Sequence, residues 1–202
     1  MSDLDSAIAL FEFESISAGI VAGDAMVKTA PLGAIYAGTV HPGKYLVLVT
    51  GDTASVDEAV RVGNGAESLA DMVFLPDVHP AVADAVAGNV SVAPVGEEAL
   101  GVVETTTVAA AIDSADAGAK AADVGLAAIR LADGLGGKGY VLFSGVVAEV
   151  EAAVAAAAGR AEGHRALIRS DLIAQLHPEM ADNLRAELRF LSRLPAPTAG
   201  GE

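Results

Sequence analysis

The side chains that could do chemistry in this sequence do not show the spacing of an active site. No nucleophile-elbow pattern, phosphate-binding loop or His-Glu-x-x-His motif occurs, and Gly134-Leu-Gly-Gly does not open a helix, as a dinucleotide site requires. The chain has no cysteine, which excludes thiolate metal sites and cysteine-ligated iron–sulfur clusters. His79, His164 and His177 share no metal-ligand spacing. We therefore expect no enzyme, no catalytic residue, no cofactor and no metal site.

Charged residues do recur at matched positions, because the chain contains an internal repeat. Residues 12–30 align on residues 104–122 without a gap, and after a shift of two residues Gly43-Lys44 matches Gly137-Lys138. A period of about 93 residues suits a small domain and is too long for a solenoid unit. Two similar domains in one chain can occupy two near-equivalent positions in a symmetric ring. The first stretch matches at Glu12/Glu104, Ala18/Ala110, Ile20/Ile112, Asp24/Asp116, Ala25/Ala117, Lys28/Lys120 and Ala30/Ala122.

Glu12 and Glu104 are interpreted as features of the fold rather than as an acid/base pair, since each belongs to its own copy of the repeat. They occupy matched positions on predicted strands. A glutamate that recurs in this way is better explained by a structural role in each domain than by shared catalysis.

Composition favours an oligomer that is neither secreted nor bound to a membrane. The 202 residues are 52% hydrophobic but only 4% aromatic, and the mean hydropathy is +0.47. Such apolar surface is expected to be hidden between subunits, because a domain of this size buries little area by itself. The longest apolar stretch, 146–158, contains Glu149 and Glu151 and is too short to cross a bilayer. The N-terminus lacks a signal core, and a net charge of −15 argues against nucleic acid and anionic lipid as partners. A cytoplasmic oligomer is predicted.

The first half is predicted to follow a βαββαβ order with a short terminal helix. Alternation of Phe and Glu predicts a strand over Ala7–Phe13, and Ser15 is expected to cap a helix that ends before Pro31. Pro42 and Gly43 suit the central positions of a type II turn between two strands. The remaining elements are strands within 32–40, 45–50 and 71–75 and helices from 53 and over 80–87.

The second half is predicted to repeat this order, which gives an α+β fold within the wider α/β class. Its strands are expected over 99–106, 125–132, 138–144 and 165–169, and its helices over 108–121 and 147–160. Each half is a ferredoxin-like antiparallel sheet with helices on one face. The predicted domains are 1–88 and 99–176, joined by a linker over 89–98, and 177–202 is expected to hold a helix over 179–194 and a disordered tail.

The run Ile112-Asp-Ser-Ala-Asp-Ala-Gly-Ala-Lys, followed by a Gly-Gly-Lys hairpin turn and a Ser-Gly strand end, resembles the bacterial microcompartment shell domain. The first half carries the same signature at Gly23-Asp-Ala-Met-Val-Lys, Gly43-Lys44 and Thr50-Gly51. Two copies in the same order resemble the tandem-domain, unpermuted, trimeric type of shell protein. The resemblance implies that three chains form a flat pseudo-hexamer, which tiles with other hexamers and with pentamers into the facets of a cytoplasmic shell.

The resemblance also implies contacts at the edges of the pseudo-hexamer. Lys28 and Lys120 match the family's edge lysine, whose aliphatic stem lies against its counterpart in the adjacent hexamer. Arg169 matches the edge arginine that follows the last strand, whereas the first half has Leu75-Pro76-Asp77 at this place. The alternative is that both lysines are ordinary solvated helix residues.

In this family the hairpin loops point at the symmetry axis and line a pore for small metabolites. The two loops differ in length, so the resemblance implies three-fold rather than six-fold symmetry for the opening. The alternative is two simple tight turns. Three copies of His41 near an axis could bind zinc, but the turn offers no second shell to orient the rings. The implied pore residues are Val40, His41, Pro42 and Gly43 together with Asp133, Gly134, Leu135, Gly136 and Gly137.

A trimeric ferredoxin-like regulator that binds a small metabolite between subunits is the alternative function. It would share the order of elements, the oligomerisation and the acidic surface. Formation of two-dimensional layers separates the two hypotheses, because a regulator should stay a discrete trimer. Electron transfer through the pore, which iron–sulfur relatives suggest, is not expected without cysteine.

Overall fold

Each half folds into the predicted βαββαβ order and ends in a short helix. The computed structural model describes residues 6–87 and 98–185. The first half contains β1 Ala7–Phe13, α1 Ile16–Thr29, β2 Ala34–Val40, β3 Lys44–Gly51, α2 Thr53–Asn64, β4 Leu69–Leu75 and α3 Pro80–Val86. The second half contains β5 Ala99–Thr105, α4 Val108–Ala121, β6 Gly125–Leu131, β7 Gly139–Gly145, α5 Val147–Gly163, β8 Leu167–Ala174 and α6 Pro178–Arg185.

The two sheets have the same topology and nearly the same register. Their antiparallel orders are β2-β3-β1-β4 and β6-β7-β5-β8. In β1, Glu12 lies opposite Asp71, and in β5 Glu104 lies opposite Arg169. The register shifts directly after each of these glutamates, so even the irregularity is duplicated. The predicted ferredoxin-like α+β class is confirmed.

Local capping residues begin three of the four long helices among the described residues, and the sequence predicts the first of these caps, at Ser15. The Ser15 side chain accepts a hydrogen bond from the backbone N–H of Ala18, and Thr107 does the same for Ala110 at the matched start of α4. In α2 the Asp52 carboxylate accepts from two backbone N–H groups. These caps fix the first turns of α1, α2 and α4, whereas α5 begins without a side-chain cap.

Alternate residues of the central strands face two different layers. In the first half, Phe11 and Phe13 are fully buried in the core that includes residues of α1 and α2. In the second half, Leu100 and Leu142 lie on the other face and pack with Ala181 of α6. The two long helices of each half therefore share one face, as predicted, and α6 covers the other face of the second sheet.

The second half differs from the first in its longer helix. The α5 helix has 17 residues, whereas α2 has 12. The α5 helix packs on α4, where the Ser114 hydroxyl donates to the carbonyl of Ala157 and Ala161 is fully buried. As a result, α5 covers more of α4 than the shorter α2 covers of α1.

The two halves are packed together along one continuous joint. The α4 helix of the second half lies against β4, β1 and α3 of the first half. Val108 and Ile112 of α4 are fully buried there, in one cluster with Val73 and Val82 of the first half. This joint between halves, formed by α4 against β4 and α3, positions the groups described below.

Three predicted details are corrected. The Gly43 N–H donates to the carbonyl of Val40, so the central residues of the turn are His41 and Pro42, joined by a cis peptide bond, rather than Pro42 and Gly43 in a type II turn. The strand predicted over 165–169 runs over Leu167–Ala174, because its pairing with β5 continues to Ala99. The last helix begins at Pro178 instead of Glu179. Its predicted continuation to 194, the tail, and the linker apart from Glu98 lie outside the described residues.

Candidate functional site

The two hairpin loops predicted to line a pore lie side by side. His41 Nδ1 is 3.7 Å from Asp133 Oδ1, and both side chains are largely exposed. A Cβ atom built on Gly137 would lie 3.0 Å from Pro42 Cδ and 3.6 Å from the His41 carbonyl oxygen. The loop between β2 and β3 and the loop between β6 and β7 thus meet at one corner of the chain, where they present His41 and Asp133 to solvent.

The longer loop depends on glycine for its backbone conformation. Gly134, Gly136 and Gly137 have φ values of +76°, +65° and +85°. Side chains rarely adopt this left-handed region, whereas glycine does so at little cost. A Cβ atom on Gly134 or Gly136 would meet nothing within 4 Å, so both positions face open space. Added bulk at these positions would project away from the fold.

Behind the loops, each half places a lysine against its repeated glutamate. Lys44 Nζ is 2.7 Å from Glu12 and 3.1 Å from Glu14, and Lys138 Nζ is 2.9 Å from Glu104. Burial alone would lower the pKa of Lys44, but its contacts with Glu12 and Glu14 outweigh burial and raise the pKa. Glu12 is fully buried, whereas Glu104 keeps a side-chain exposure of 35%.

Glu12 also connects the two halves. Its Oε2 accepts a hydrogen bond of 2.8 Å from the backbone N–H of Val108, at the start of α4. A carboxylate at a helix N-terminus is stabilised by the unpaired N–H groups of the first turn. The structural interpretation of Glu12 fits this position, since the glutamate joins a lysine of its own half to a helix of the other.

The Asp-Ala-x-x-Lys segment of α4 contacts the loop that follows β4. Asp116 accepts a hydrogen bond of 2.7 Å from the backbone N–H of His79, and Lys120 donates to the carbonyl of Asp77. Lys120 is also paired with Asp116 and keeps a side-chain exposure of 42%. The matched Lys28 of α1 pairs with Asp24 and is 72% exposed. The same motif is therefore engaged in one half and open to solvent in the other.

His164 bridges the two halves between two carboxylates. Its Nδ1 lies 2.8 Å from Asp71 of β4, and its Nε2 lies 3.1 Å from Asp113 of α4. Hydrogen bonds to Asp113 and then Asp71 outweigh burial and raise the pKa of His164 to about 9. Burial would raise the pKa of Asp71, but His164 and the Thr107 hydroxyl donate to it and hold the pKa below its ordinary value. The bridge is therefore an imidazolium between carboxylates at neutral pH.

Sequence reasoning missed this bridge. His164 lacks metal-ligand spacing in the sequence, and Asp71 is 93 positions away from it. No local pattern indicates such a pair. The sequence does show several charged residues close together at the end of α5, namely Arg160, Glu162 and Arg165. Within residues 6–87 and 98–185, no group of three or more His, Asp or Glu side chains is arranged to hold a metal ion.

The comparisons with known proteins agree with this duplicated architecture. The BMC domain model matches the chain twice, over residues 7–78 and 99–176. The bacterial microcompartment shell protein PduT of Citrobacter freundii is 36% identical over 179 residues, which are 88% of this chain and 96% of the relative. The chain belongs to the bacterial microcompartment shell family.

Solved structures carry the same fold. The crystal structure of a microcompartments protein from Desulfitobacterium hafniense matches with a TM-score of 0.74 and 38% identity, over 87% of this chain and 98% of that one. A fused permuted hexameric shell protein matches with a TM-score of 0.54 and 20% identity over 79% of this chain and 85% of its own, which shows a common fold alone. Membership in the family gives the chain a structural role in a shell. The alternative of a metabolite-binding regulator finds no support in these matches.

The predicted match of Arg169 with the edge arginine of this shell family needs correction. Arg169 lies inside β8 and not after the last strand, because β8 extends to Ala174. Since Arg169 lies opposite Glu104 as Asp71 lies opposite Glu12, its counterpart in the first half is Asp71 and not Leu75-Pro76-Asp77. Arg169 pairs with Asp171 through Nε and Nη2, at 2.5 and 2.7 Å. None of the helices in the described part of this shell protein is long and apolar enough to cross a membrane.

Proposed function

We propose that three chains form a pseudo-hexamer that tiles the facets of a microcompartment shell and has a pore for small polar metabolites at its centre. The observation that carries this proposal is the joint between halves. Every element of that joint is duplicated in the chain, and the second set of these elements is exposed. A second copy can therefore repeat the joint, and repetition closes a ring of six similar domains.

We call the proposed contact between two chains the repeated joint, and in it α1 takes the place that α4 has in the joint between halves. Its Ile16 and Ile20 are 40% and 53% exposed, whereas the matched Val108 and Ile112 of α4 are fully buried. Val27 of α1 is also exposed, at 44%. Exposed apolar residues at repeated positions favour a protein contact, because burying them against a second copy removes them from water.

The strand side of the repeated joint is β8 with α6. Ile173 is 39% exposed, whereas the matched Leu75 of β4 is 6% exposed. A His-Pro pair begins both α3 and α6, and aligning these pairs makes Met180 of α6 equivalent to Val82 of α3. Met180 is 50% exposed, whereas Val82 is fully buried. We infer that Met180 of a second copy enters the groove beside α1, whose lining comprises Gly19, Ile20, Gly23, Asp24, Val27, Ile35, Ala37 and Tyr45.

Polar groups for the repeated joint are present as well. Asp24 and Lys28 correspond to Asp116 and Lys120, which hold the loop after β4. By the same matching, Asp24 would accept from the N–H of His177 in the second copy. Glu104, still partly exposed, would accept from the first N–H groups of α1 as Glu12 does from those of α4.

The pore proposal rests on the corner where the loops meet. Repetition of the joint brings three copies of the loop pair together, with Asp133 and His41 exposed at the corner. Three Asp133 carboxylates would disfavour anions, whereas N–H groups of the glycine loop would favour them. We infer passage of small polar metabolites and no catalytic role for the chain. Its further partners are other shell hexamers and pentamers at the rim, where Lys28 and Lys120 are proposed to make contacts.

Light scattering on the purified chain at micromolar concentration tests the proposal. Three chains of 20.1 kDa give a mass of about 60 kDa, and concentrated protein should form hexagonally packed layers under the electron microscope. A monomeric mass would exclude the pseudo-hexamer. A trimer that never forms layers would leave the discrete oligomer without a tiling role.

A further inference from the structure

Opposite charges face each other across the joint between halves, and opposite charges are also available for the repeated joint between chains. At the joint between halves, the first half contributes Asp71 and the second half contributes His164, with Arg160 and Arg165 lining the same recess. The second half also contributes Asp113, which is already bridged by His164 and lies 3.8 Å from Arg160. Across this joint, an acid of the first half thus faces cations of the second.

On the exposed surfaces, the position equivalent to a cation of the joint carries an acid, and the position equivalent to an acid carries a cation. Ser68 and Ala166 are equivalent, because each accepts the same backbone hydrogen bond just before the last strand, from Glu14 and Thr106 respectively. The residues before them are Glu67 and Arg165. Counting along the registers, Asp71 corresponds to Arg169. As at the joint between halves, the first half supplies the acid, Glu67, and the second half supplies the cation, Arg169.

Glu67 lies in a recess that suits a cation from outside the chain. The recess lies between α1 and the end of the short α2, where the longer α5 covers the matched face of α4. Ser15, Ser68 and Val21 line it together with Glu67, and no cationic side chain is among the lining residues. Val21, which is 67% exposed, replaces the acidic Asp113 of the other half. Glu67 is therefore the carboxylate that a partner's arginine would meet here.

Arg169 keeps donors for such a contact. Its side chain is 73% exposed, and the guanidinium uses Nε and Nη2 for Asp171. An arginine has five N–H donors in a planar fork, so Nη1 can still donate to a second carboxylate. The Asp171 pair holds the side chain in one orientation, and this lowers the conformational entropy lost when a partner binds.

We propose that Glu67 and Arg169 select the contact between chains, in which the second half of one copy meets the first half of another and Arg169 pairs with Glu67. This inference rests on the proposed trimer. Asp71 and His164 already pair at the joint within each chain and are not available to another copy. Glu67 and Arg169 are the exposed charges at the matched positions. Two copies of either one in contact would repel each other, whereas Glu67 facing Arg169 attracts, so charge favours contact between unlike halves.

Charge reversal at the two proposed partners tests this selection. We expect Glu67→Arg and Arg169→Glu each to weaken trimer association by at least about tenfold, because each puts like charges across the contact. The double variant should recover association to within about threefold of the wild type, since it restores an opposite pair. Glu151→Arg, which makes the same charge change on the exposed side of α5, is the matched control and should leave association unchanged. Circular dichroism shows that each variant is folded.

Cross-linking identifies which residues meet. Because the chain has no cysteine, the variant carrying both Glu67→Cys and Arg169→Cys should give a covalent trimer with a short bismaleimide. Chains with Glu67→Cys alone should not cross-link to one another, nor should chains with Arg169→Cys alone. Cross-linking of either single variant, or unchanged association in both single charge reversals of a trimeric protein, overturns the selection. A monomeric wild-type chain would instead remove the proposed function.

Discussion

His164 keeps its proton because two carboxylates flank its ring. Asp71 belongs to the first half and Asp113 to the second, so the protonated ring connects the halves. An unfolded chain separates the three groups and returns the histidine to its ordinary pKa near 6.5. The charge on this one residue therefore couples the packing of the halves to pH.

Stability should fall between neutral and alkaline pH through His164. Its pKa is about 9 in the folded chain and near 6.5 in the unfolded chain, so the stabilisation is complete below pH 6.5 and is lost as pH rises through 9. Urea denaturation midpoints at fixed protein concentration, from pH 6 to pH 10, measure this loss.

His164→Gln should flatten that dependence and lower stability at pH 6 by about 2 kcal/mol, since it removes hydrogen bonds to charged groups. His41→Gln is the matched control, because His41 is largely exposed. If the slope of stability against pH is the same in His164→Gln and in the wild type, another group carries the dependence.

Bulk at Gly136 should block passage without disturbing assembly. A side chain at φ +65° strains the loop backbone, but the position faces open space outside the core, so a large residue would project away from the fold and assembly should be retained. Gly136→Trp is expected to reduce solute flux through assembled shells severely, and light scattering should still show the wild-type mass. Gly159→Trp, at an open position on α5, is a matched control. Unchanged flux in Gly136→Trp would place the loop away from the opening.

At the scale of elements, small residues let helices and strands approach closely. Gly118 of α4 faces the Phe143 ring of β7, and Gly63 of α2 faces the Phe11 ring of β1. A Cβ atom at either position would lie 2.3 Å from the aromatic carbon, which is far inside contact distance. Each glycine therefore fixes the spacing between one helix and the sheet beneath it, and the fully buried rings have little room to move.

Two glycine-to-alanine substitutions in the neighbouring helices α4 and α5 should change the free energy of unfolding in opposite directions. Gly118→Ala forces Phe143 to shift and should destabilise the chain by about 1–3 kcal/mol. Gly159→Ala meets nothing within 4 Å on α5 and should stabilise it by roughly 0.5–1 kcal/mol, because alanine is the better helix former. Denaturant unfolding of both variants measures the difference. A stabilised Gly118→Ala variant would show that the contact between helix and ring relaxes freely.

At the scale of the whole molecule, one surface is used inside the chain and its copy is left for others. Lys120 already contacts the loop after β4, whereas Lys28 is exposed and paired within α1. Both lie on the helices of the joint, α4 and its counterpart α1, and we propose that this part of each helix reaches the rim of the pseudo-hexamer. Their proposed role at the edge is therefore compatible with contacts to the neighbouring domain, since a lysine ammonium has three donors.

Removal of both lysines should abolish layers and still allow the trimer to form, because the Lys120 contact with Asp77 is one of several across the joint, which also contains the Asp116 hydrogen bond and buried apolar residues. In the variant carrying Lys28→Ala and Lys120→Ala, the flat aliphatic stems and their charges are lost from all six edges. Electron microscopy should then show no ordered layers, while light scattering gives the wild-type mass. Arg61→Ala, which removes a cation from the exposed side of α2, is the control and should still form layers. Normal layers in the double lysine variant would show that the edge role is wrong.

The sequence by itself determined the duplication, the order of elements, the cap of the first helix and the family. These features depend on local information: the alternation in Ala7–Phe13, the capping Ser15, and a motif that occurs twice in the same order. Periodicity and capping act within a few residues, so they can be read without long-range contacts. The hairpin turn and the length of β8 were predicted wrongly, because backbone geometry at His41-Pro42 and pairing with β5 decided them.

The tertiary structure alone decided which copy of each repeated feature is buried. Ile112 and Ile20 are equivalent in sequence, yet only Ile112 is covered. His164 and Asp71 are 93 positions apart, and Glu12 and Val108 are 96 apart. Arg169 acquires Asp71 as its counterpart only through strand register. The physical reason is the same in each case: burial, charge pairing and register are properties of surfaces brought together by packing, and a sequence pattern describes each surface before its partner is known.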